Sequence, residues 1–214
     1  MRSFVFHNIL LLSFLLMSCS PGILKGFEKR EQAPVSKEAL YPLFHSTDSV
    51  RLFNMQIDFR KNHFSGILLI KPIADNTYRM AFNTHFGMSV FDFEFSPDRF
   101  VVNNCIPILQ KKTIINTLEN DFRILFFLHL PQEGSAAQVY RHKEQDDLEV
   151  NKINGQYYLK DNSRRELLQI EIPHFFSSLH YYFSDYQQQF PASIRIKHDR
   201  IRLSMILERI KNEE

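Results

Sequence analysis

The chain has 214 residues and a nearly balanced charge, with 26 Lys and Arg against 24 Asp and Glu and a formal net charge of +2. Both signs are scattered along the sequence, which argues against a nucleic-acid-binding protein because no basic block could follow a phosphate backbone. The composition of 21 Phe and 8 Tyr, with 6 Gly and no Trp, instead predicts a large apolar interior or an apolar cavity.

Residues 1–18 have the organisation of a bacterial export signal. A single basic residue, Arg2, precedes an almost purely apolar run over residues 9–17. This run is too short for a transmembrane helix, which needs about 20 residues. The sequence Leu-Met-Ser-Cys at residues 16–19 resembles the bacterial lipobox. We therefore predict a cleaved lipoprotein signal peptide and lipidation at Cys19; the alternative is an uncleaved helix or a non-lipidated signal.

Lipidation at Cys19 would also determine the protein's location. Two or three acyl chains hold a protein to a bilayer essentially permanently. No Asp follows Cys19, and the first acidic residue after it is Glu28. This pattern favours the outer membrane, with the chain facing the periplasm. Proline and glycine among charged residues predict a lipidated tether over residues 19–45, followed by one β-rich domain, expected to be monomeric, over residues 46–214.

Alternation of apolar and polar residues predicts strands with one buried face over most of the domain. Five short strands are predicted between residues 48 and 103, followed by a helix beginning at Pro107. Residues 124–130 either continue this helix or form a buried segment. Further strands are predicted over residues 137–142, 147–151, 155–161, 165–172, 192–198 and 200–208. Residues 175–186 are ambiguous between helix and strand. The predicted fold class is mainly β with a few helices (α+β).

No catalytic or metal-binding pattern is evident in the sequence. The histidines are dispersed, and neither an HExxH motif, a G-x-S-x-G elbow nor a Gly-rich phosphate loop occurs. We therefore predict a non-enzymatic protein without a cofactor or a metal site. Cys105 is most simply a small apolar filler at a strand end. Arg195, Lys197, Arg200 and Arg202 could approach anionic lipid headgroups, although charges that alternate outside an apolar strand need no such role.

Three consecutive segments resemble the LolA and LolB lipoprotein-localisation family. Residues 64–70 (Phe-Ser-Gly-Ile-Leu-Leu-Ile), residues 78–82 (Tyr-Arg-Met-Ala-Phe) and His85-Phe86-Gly87 are similar to the LolB order of a Ser-Gly-x-Leu strand, a Tyr-x-Leu-x-Leu strand and a Pro-Leu-Gly loop. The resemblance implies a single antiparallel sheet curled into a half-barrel with a helical lid, whose hollow takes acyl chains. It also implies a projecting loop leucine that helps to place lipoproteins in the membrane. Phe86 stands at the position of that leucine, whereas His85 replaces the proline.

Two candidate sites follow from this resemblance and from the alternation. The candidate membrane-inserting loop consists of Phe86 and Gly87; the alternative is a hairpin Phe packed onto its own sheet. The candidate hydrophobic cavity comprises Ile57, Phe59, Ile67, Leu69, Met80, Phe82, Phe91 and Phe93. A closed core would show the same alternation, so an ordinary core is the alternative for these residues.

The predicted function is that of an outer-membrane-anchored lipoprotein that binds acyl chains or lipoprotein cargo in a hydrophobic half-barrel. It would act in lipoprotein localisation or lipid transfer, with its cargo delivered by a soluble periplasmic carrier. Two alternatives belong to other classes of protein. One is a structural or assembly lipoprotein whose closed β-domain binds a protein partner in the cell envelope, and the other is a lipid-anchored hydrolase.

Overall fold

The computed structural model describes residues 21–45, 47, 49–131, 134–174 and 177–210, so the predicted signal peptide and Cys19 lie outside the described residues. Thirteen strands form one sheet, in which every pair of neighbours is antiparallel. The strands are β1 (Phe27–Val35), β2 (Arg51–Phe59), β3 (Asn62–Ala74), β4 (Thr77–Thr84), β5 (Ser89–Phe95), β6 (Phe100–Cys105), β7 (Ser135–His142), β8 (Leu148–Ile153), β9 (Gln156–Asp161), β10 (Glu166–His174), β11 (Ser177–Gln187), β12 (Phe190–His198) and β13 (Leu203–Arg209).

The helical elements within the described part of the chain are one α-helix and two short turns of 3-10 helix. The α-helix, α1, covers Lys112–Leu125, and the 3-10 turns cover Gly22–Leu24 and Glu38–Leu40. None of these described helices is long and apolar enough to cross a membrane. The structure therefore confirms the mainly β class with a minor helical part.

The sheet consists of two meanders joined side by side. Strands β2 to β6 follow one another at one end of the sheet, and β7 to β13 follow one another at the other end. Pairing of β13 with β2 joins the two meanders, and β1 adds to the free side of β7. The predicted strands of the second half correspond to β7, β8, β9, β10, β12 and β13, and the ambiguous stretch contains strand β11.

Alternating burial along the strands places one face of the sheet in the core. In β2, Phe53, Met55 and Ile57 are buried while Asn54 and Gln56 are exposed. This is the period of two that a strand gives to its side chains. The alternation predicted for the first meander is thus confirmed, and the buried face supplies most of the core.

The sheet is curled around α1. Phe91 of β5 lies 6.1 Å from the ring of Phe122 in the helix. The Tyr181 hydroxyl of β11 donates a hydrogen bond to the carbonyl oxygen of the adjacent helical residue, Asp121, at 3.1 Å. Strands β11 and β5 are six positions apart in the strand order, which corresponds to about 29 Å in a flat sheet. Both can reach neighbouring helical residues only because the sheet forms a half-barrel with α1 on its inner face.

The helix begins later in the sequence than predicted. Its predicted start was Pro107, but the residues around Pro107 form a turn in which the Gln110 side chain donates a hydrogen bond to the Cys105 carbonyl oxygen at 2.7 Å. Lys111 then has an extended backbone, with φ −57° and ψ 128°, which delays the first helical residue to Lys112. The helix ends at Leu125, and residues 126–130 form the buried segment that was one of the two predicted alternatives.

The tether predicted over residues 19–45 is wrong for most of its length. Residues 27–35 form strand β1, and Leu40, Leu43 and Phe44 belong to the hydrophobic core. The side chains of β1 are mostly exposed, so its sequence carries no clear alternation. Pro34 is accommodated because β1 is an edge strand, where a missing backbone N–H costs no ladder bond. The folded domain therefore starts well before residue 46.

Candidate functional site

Over strands β2 to β5, the inner face of the half-barrel is lined mainly by aromatic and aliphatic side chains. Of the eight residues predicted for the cavity, six are buried on this face: Ile57, Phe59, Met80, Phe82, Phe91 and Phe93. Register pairs Phe82 with Phe91 and Met80 with Phe93 on neighbouring strands. The structure therefore brings these six residues together in one apolar surface.

The other two predicted cavity residues, Ile67 and Leu69, lie on the outer face. They pair with Asn54 and Leu52 across the β2–β3 ladder, and both are only partly buried. Their neighbours Leu68 and Ile70 occupy the inner face instead. The run of four apolar residues at positions 67–70 has no alternation, so the sequence did not indicate which two point inward. The assignment of Ile67 and Leu69 to the cavity is a register error of one residue.

Helix α1 and the segment after it fill the hollow in this conformation. Phe91 and Phe93 stack on each other with ring centroids 4.5 Å apart. Phe95 contacts Phe122 at 6.0 Å and Phe126 at 5.6 Å. All of these rings are fully or almost fully buried. The inner face is thus covered by the protein's own aromatic side chains, and access of any ligand requires α1 to move.

Phe44 closes the end of the hollow at which α1 terminates. Its ring contacts Phe53, Tyr78, Phe126 and Phe190 with centroid distances between 5.1 and 6.5 Å. The Tyr78 hydroxyl donates to the Phe44 carbonyl oxygen at 3.1 Å. Aromatic pairs of this kind contribute about 0.5–1.5 kcal/mol each beyond their buried area. This end of the half-barrel is therefore firmly packed.

A polar contact inside the core holds the middle of α1 against β12. The fully buried carboxyl group of Asp121 lies 2.8 Å from His198 Nε2. Its second oxygen, Oδ1, has no hydrogen-bond partner among the described residues. Burial raises the pKa of Asp121, against the opposing effect of His198. A half-satisfied buried carboxyl group costs free energy, so this contact is a weak point in the packing of the helix.

A polar cleft of about 480 Å³ opens beside this contact, with Asn116, Thr117, Asn120 and His174 among its lining residues. Asp121 was not among the functional residues predicted from the sequence. The available signal was its position, because Ile114, Leu118, Asp121 and Leu125 follow the spacing of one helical face. Within the described residues, no group of three or more His, Cys, Asp or Glu side chains is placed to hold a metal ion.

The β4–β5 turn presents the second candidate site. The Gly87 N–H donates to the Thr84 carbonyl oxygen at 2.9 Å, and the Met88 N–H donates to Thr84 Oγ1 at 3.1 Å. Gly87 has φ +82°, a left-handed conformation that glycine adopts without strain. The Phe86 side chain is 100% exposed and that of Met88 is 51% exposed. The turn is thus ordered by its own hydrogen bonds, and it holds two apolar side chains in solvent.

The exposed turn lies at the same end of the half-barrel as the beginning of α1. Because neighbouring strands are antiparallel, the β2–β3, β4–β5 and β12–β13 turns all lie at this end, which we call the Phe86 rim. The residues that lead from β6 into α1 start there too, since the Ile106 N–H donates to the Val90 carbonyl oxygen at 2.9 Å. The Phe86 rim therefore combines an exposed apolar turn with the start of the helix that covers the hollow.

No known protein family and no curated protein matches the sequence. The solved structures that show similarity to this one include three crystal structures. A domain assigned to outer membrane lipoprotein sorting from Vibrio parahaemolyticus is 7% identical, with a TM-score of 0.35, and the match covers 76% of this chain and 84% of that one. A LolA superfamily protein from Nitrosomonas europaea is 8% identical, with a TM-score of 0.41 over 85% of this chain and 96% of that one.

The third structure, a DUF1329 family protein from Desulfovibrio piger, is 8% identical, with a TM-score of 0.31 over 83% of this chain and 92% of that one. All three TM-scores lie below 0.5.

Proposed function

We propose that this protein is a non-enzymatic, membrane-anchored protein of the bacterial cell envelope. It binds the acyl chain of a lipid or lipoprotein on the inner face of the half-barrel and transfers that chain to a membrane at the Phe86 rim. The observation that carries the proposal is the fully exposed Phe86, held on an ordered turn at one end of a half-barrel whose inner face is largely apolar over strands β2 to β5.

Exchange of α1 for an acyl chain is feasible without an external energy source. The apolar residues that the helix buries in the core are Ile114, Leu118, Phe122, Ile124 and Leu125. Five side chains of this size contribute about 7–15 kcal/mol by burial, and the methylenes of a 16-carbon chain contribute about 12 kcal/mol at 0.8 kcal/mol each. Because the two quantities are similar, the ligand can replace the helix on the inner face, and transfer can be passive.

The attachment of α1 is suited to such an exchange. No side chain caps its N-terminus, and only one of the two buried carboxyl oxygens of Asp121 has a hydrogen-bond partner among the described residues. Phe127, just after the helix, has φ +56°, which is uncommon for an aromatic residue. These features lower the cost of moving α1 relative to the cost of separating any two strands of the sheet.

Membrane attachment has two components in this proposal. Acyl chains on Cys19 provide the permanent anchor, as the lipobox-like sequence indicates. Phe86 provides a second and reversible contact, since full burial of a Phe is worth about 1.5–3 kcal/mol. The anchor keeps the domain near the bilayer, and the turn places the Phe86 rim against it, on the outer membrane in our proposal.

The filled interior favours a second candidate function. If α1 never leaves the inner face, the half-barrel is an ordinary core, and Phe86 with Met88 forms an apolar projection for a protein partner. The protein would then be a structural or assembly lipoprotein of the envelope.

Ligand binding separates these two candidates. The chain without residues 1–19 is purified from bacteria, analysed by native mass spectrometry for bound lipid, and titrated with a fluorescent fatty-acid analogue. The acyl-carrier function predicts co-purified lipid or saturable one-to-one binding that unlabelled palmitate displaces. Substitution of Phe82 by Asn should weaken binding, with circular dichroism as the check on folding. No bound lipid and no saturable uptake would favour the assembly lipoprotein.

A further inference from the structure

A basic cleft at the Phe86 rim is not explained by the acyl-binding interior. The cleft has a volume of about 750 Å³ and lies between the β2–β3 turn, the β12–β13 turn and the first turn of α1. Five of its lining residues are cationic: Arg60, Lys61, Lys111, Arg200 and Arg202. None of its lining residues is acidic.

These five cations are not neutralised within the described part of the chain. Each of their side chains is exposed, and none forms an ion pair with another described residue. The acidic residues nearest in sequence already contact histidines. Asp58 lies 2.7 Å from His63 Nδ1, and Asp199 lies 3.2 Å from His180 Nε2. The charges of the cleft are therefore available to an external anion.

The two turns on one side of the cleft are fixed relative to each other. The Arg60 N–H donates to the Arg202 carbonyl oxygen at 2.8 Å, which joins the two turns. The Arg60 guanidinium also lies over the Phe59 ring, 5.5 Å from its centroid. The two turns thus hold cations from two hairpins on one side of the cleft.

The floor of the cleft is apolar. Phe59 and Ile114 are buried at its base, and Ile201 is half-buried beside them. A free phosphate ion would gain nothing from such a floor, whereas a molecule with an anionic head and a hydrocarbon part would contact both surfaces. Ile114 also belongs to the buried face of α1, so the floor is continuous with the covering of the half-barrel.

We propose that this cleft binds the anionic headgroup of a phospholipid, with the start of the acyl chains on the apolar floor. The site goes beyond the proposed acyl-binding function, because it selects a headgroup charge and does not require α1 to move. Its position at the Phe86 rim places the bound headgroup on the side of the domain that faces the bilayer.

The test compares two double variants that lose the same charges. In Lys61→Gln/Arg202→Gln, the lost charges line the cleft, whereas in the control Lys29→Gln/Arg30→Gln they are exposed on β1, outside it. The full chain is purified in a neutral detergent, and binding of phosphatidylglycerol and phosphatidylcholine is measured by native mass spectrometry. Competition by inorganic phosphate is measured in parallel, and circular dichroism verifies the folding of each variant.

We expect saturable binding of phosphatidylglycerol that is at least tenfold tighter than that of phosphatidylcholine. The cleft variant should weaken it by about 30-fold, as expected for two lost cation–headgroup contacts. The control should change it by less than about threefold. Equal losses in both variants, equal binding of the two lipids, or complete displacement by inorganic phosphate would each overturn the assignment. Fatty-acid uptake by the interior is measured separately, so the headgroup-binding cleft and the acyl-binding interior are tested independently of each other.

Discussion

Phe86 and Asp121 lie in environments that do not match the polarity of their side chains. Phe86 is an aromatic ring in full contact with water, and Asp121 is a carboxyl group with no exposure to it. Such positions cost stability, so both are sensible places to look for function. We propose that Phe86 contacts a membrane at the rim of the half-barrel and that Asp121 limits how tightly α1 is held inside.

Substitution of Phe86 by Glu should weaken membrane association without unfolding the domain. The chain without residues 1–19 is mixed with vesicles, and the bound fraction is measured by sedimentation. Loss of about 1.5–3 kcal/mol of burial corresponds to a loss of roughly 10- to 100-fold in partitioning. Ile73→Glu is the control, since Ile73 is 44% exposed on β3 but far along the strand from the Phe86 rim. Equal effects of the two substitutions would contradict a specific membrane contact by Phe86.

The Asp121→Asn variant should change the dependence of stability on pH. The pKa of Asp121 is raised in the folded protein, so protonation favours the folded state. This contribution is fully present below the unfolded pKa of about 3.9 and is lost as the pH rises through the folded pKa. The stability of the wild type relative to Asp121→Asn should therefore fall as the pH rises above about 4, as measured by urea unfolding at a series of pH values. A difference that stays constant, or that grows with pH, would contradict the raised pKa.

At the scale of elements, α1 and the sheet differ in how they are held. The strands are joined by continuous ladders, whereas α1 is held by side-chain packing and by hydrogen bonds of a few side chains. These are the Asp121–His198 contact, the bond from the Tyr181 hydroxyl to the Asp121 carbonyl oxygen, and the bonds from the Arg123 guanidinium to the carbonyl oxygens of Ser96 and Pro97. Proteins open locally in contiguous cooperative units, and elements that move on ligand binding come from the low-stability end. We expect α1 to be the part of the core that moves.

Hydrogen exchange of the backbone amides tests this difference. Amides of α1 should open with a lower free energy than those of β2 to β5 in the free protein. Addition of a fatty acid should accelerate exchange in α1 while leaving the strands unchanged or slower. Uniform opening of helix and sheet, unaffected by the ligand, would indicate that α1 is a permanent part of the core.

The elements also show what the sequence could predict. Strands such as β5 were predicted because Phe91, Phe93 and Phe95 alternate with polar residues, as expected for a sheet with one face in the core and the other toward solvent. Strand β1 was missed because its edge position leaves most side chains exposed, so no period appears. The start of α1 was placed too early because Pro107 suits a first helical turn, whereas the Gln110 side chain instead closes a separate turn.

The parts of the candidate site that were not predicted depend on contacts between residues far apart in the sequence. The Phe86 turn could be predicted because Phe86 and Gly87 lie between two alternating strands. The Asp121–His198 contact joins residues 77 positions apart, and neither residue has a local motif. Cys105 is buried as predicted, and burial raises the pKa of its thiol to about 11. The filling of the half-barrel depends on α1 and Phe44, which the alternation of the strands does not reveal.

The proposed function requires three parts of the molecule to work together: the anchor at Cys19, the Phe86 rim and the interior of the half-barrel. The anchor is testable because the chain has two cysteines, Cys19 and Cys105. Substitution of Cys19 by Ser should abolish incorporation of labelled palmitate and move the protein out of the membrane fraction. Cys105→Ser is the matched control and should leave both unchanged. Incorporation that persists without Cys19 would contradict the lipobox assignment.

In the proposed function, an acyl chain takes the place of α1 on the inner face of the half-barrel. Photo-crosslinking with a diazirine-labelled palmitic acid, followed by peptide mapping, shows where the chain binds. We expect adducts on inner-face residues of β4 and β5, such as Phe82 and Phe91, that excess palmitate suppresses. Adducts confined to the outer face or to the Phe86 turn, with none on the inner face, would contradict the exchange.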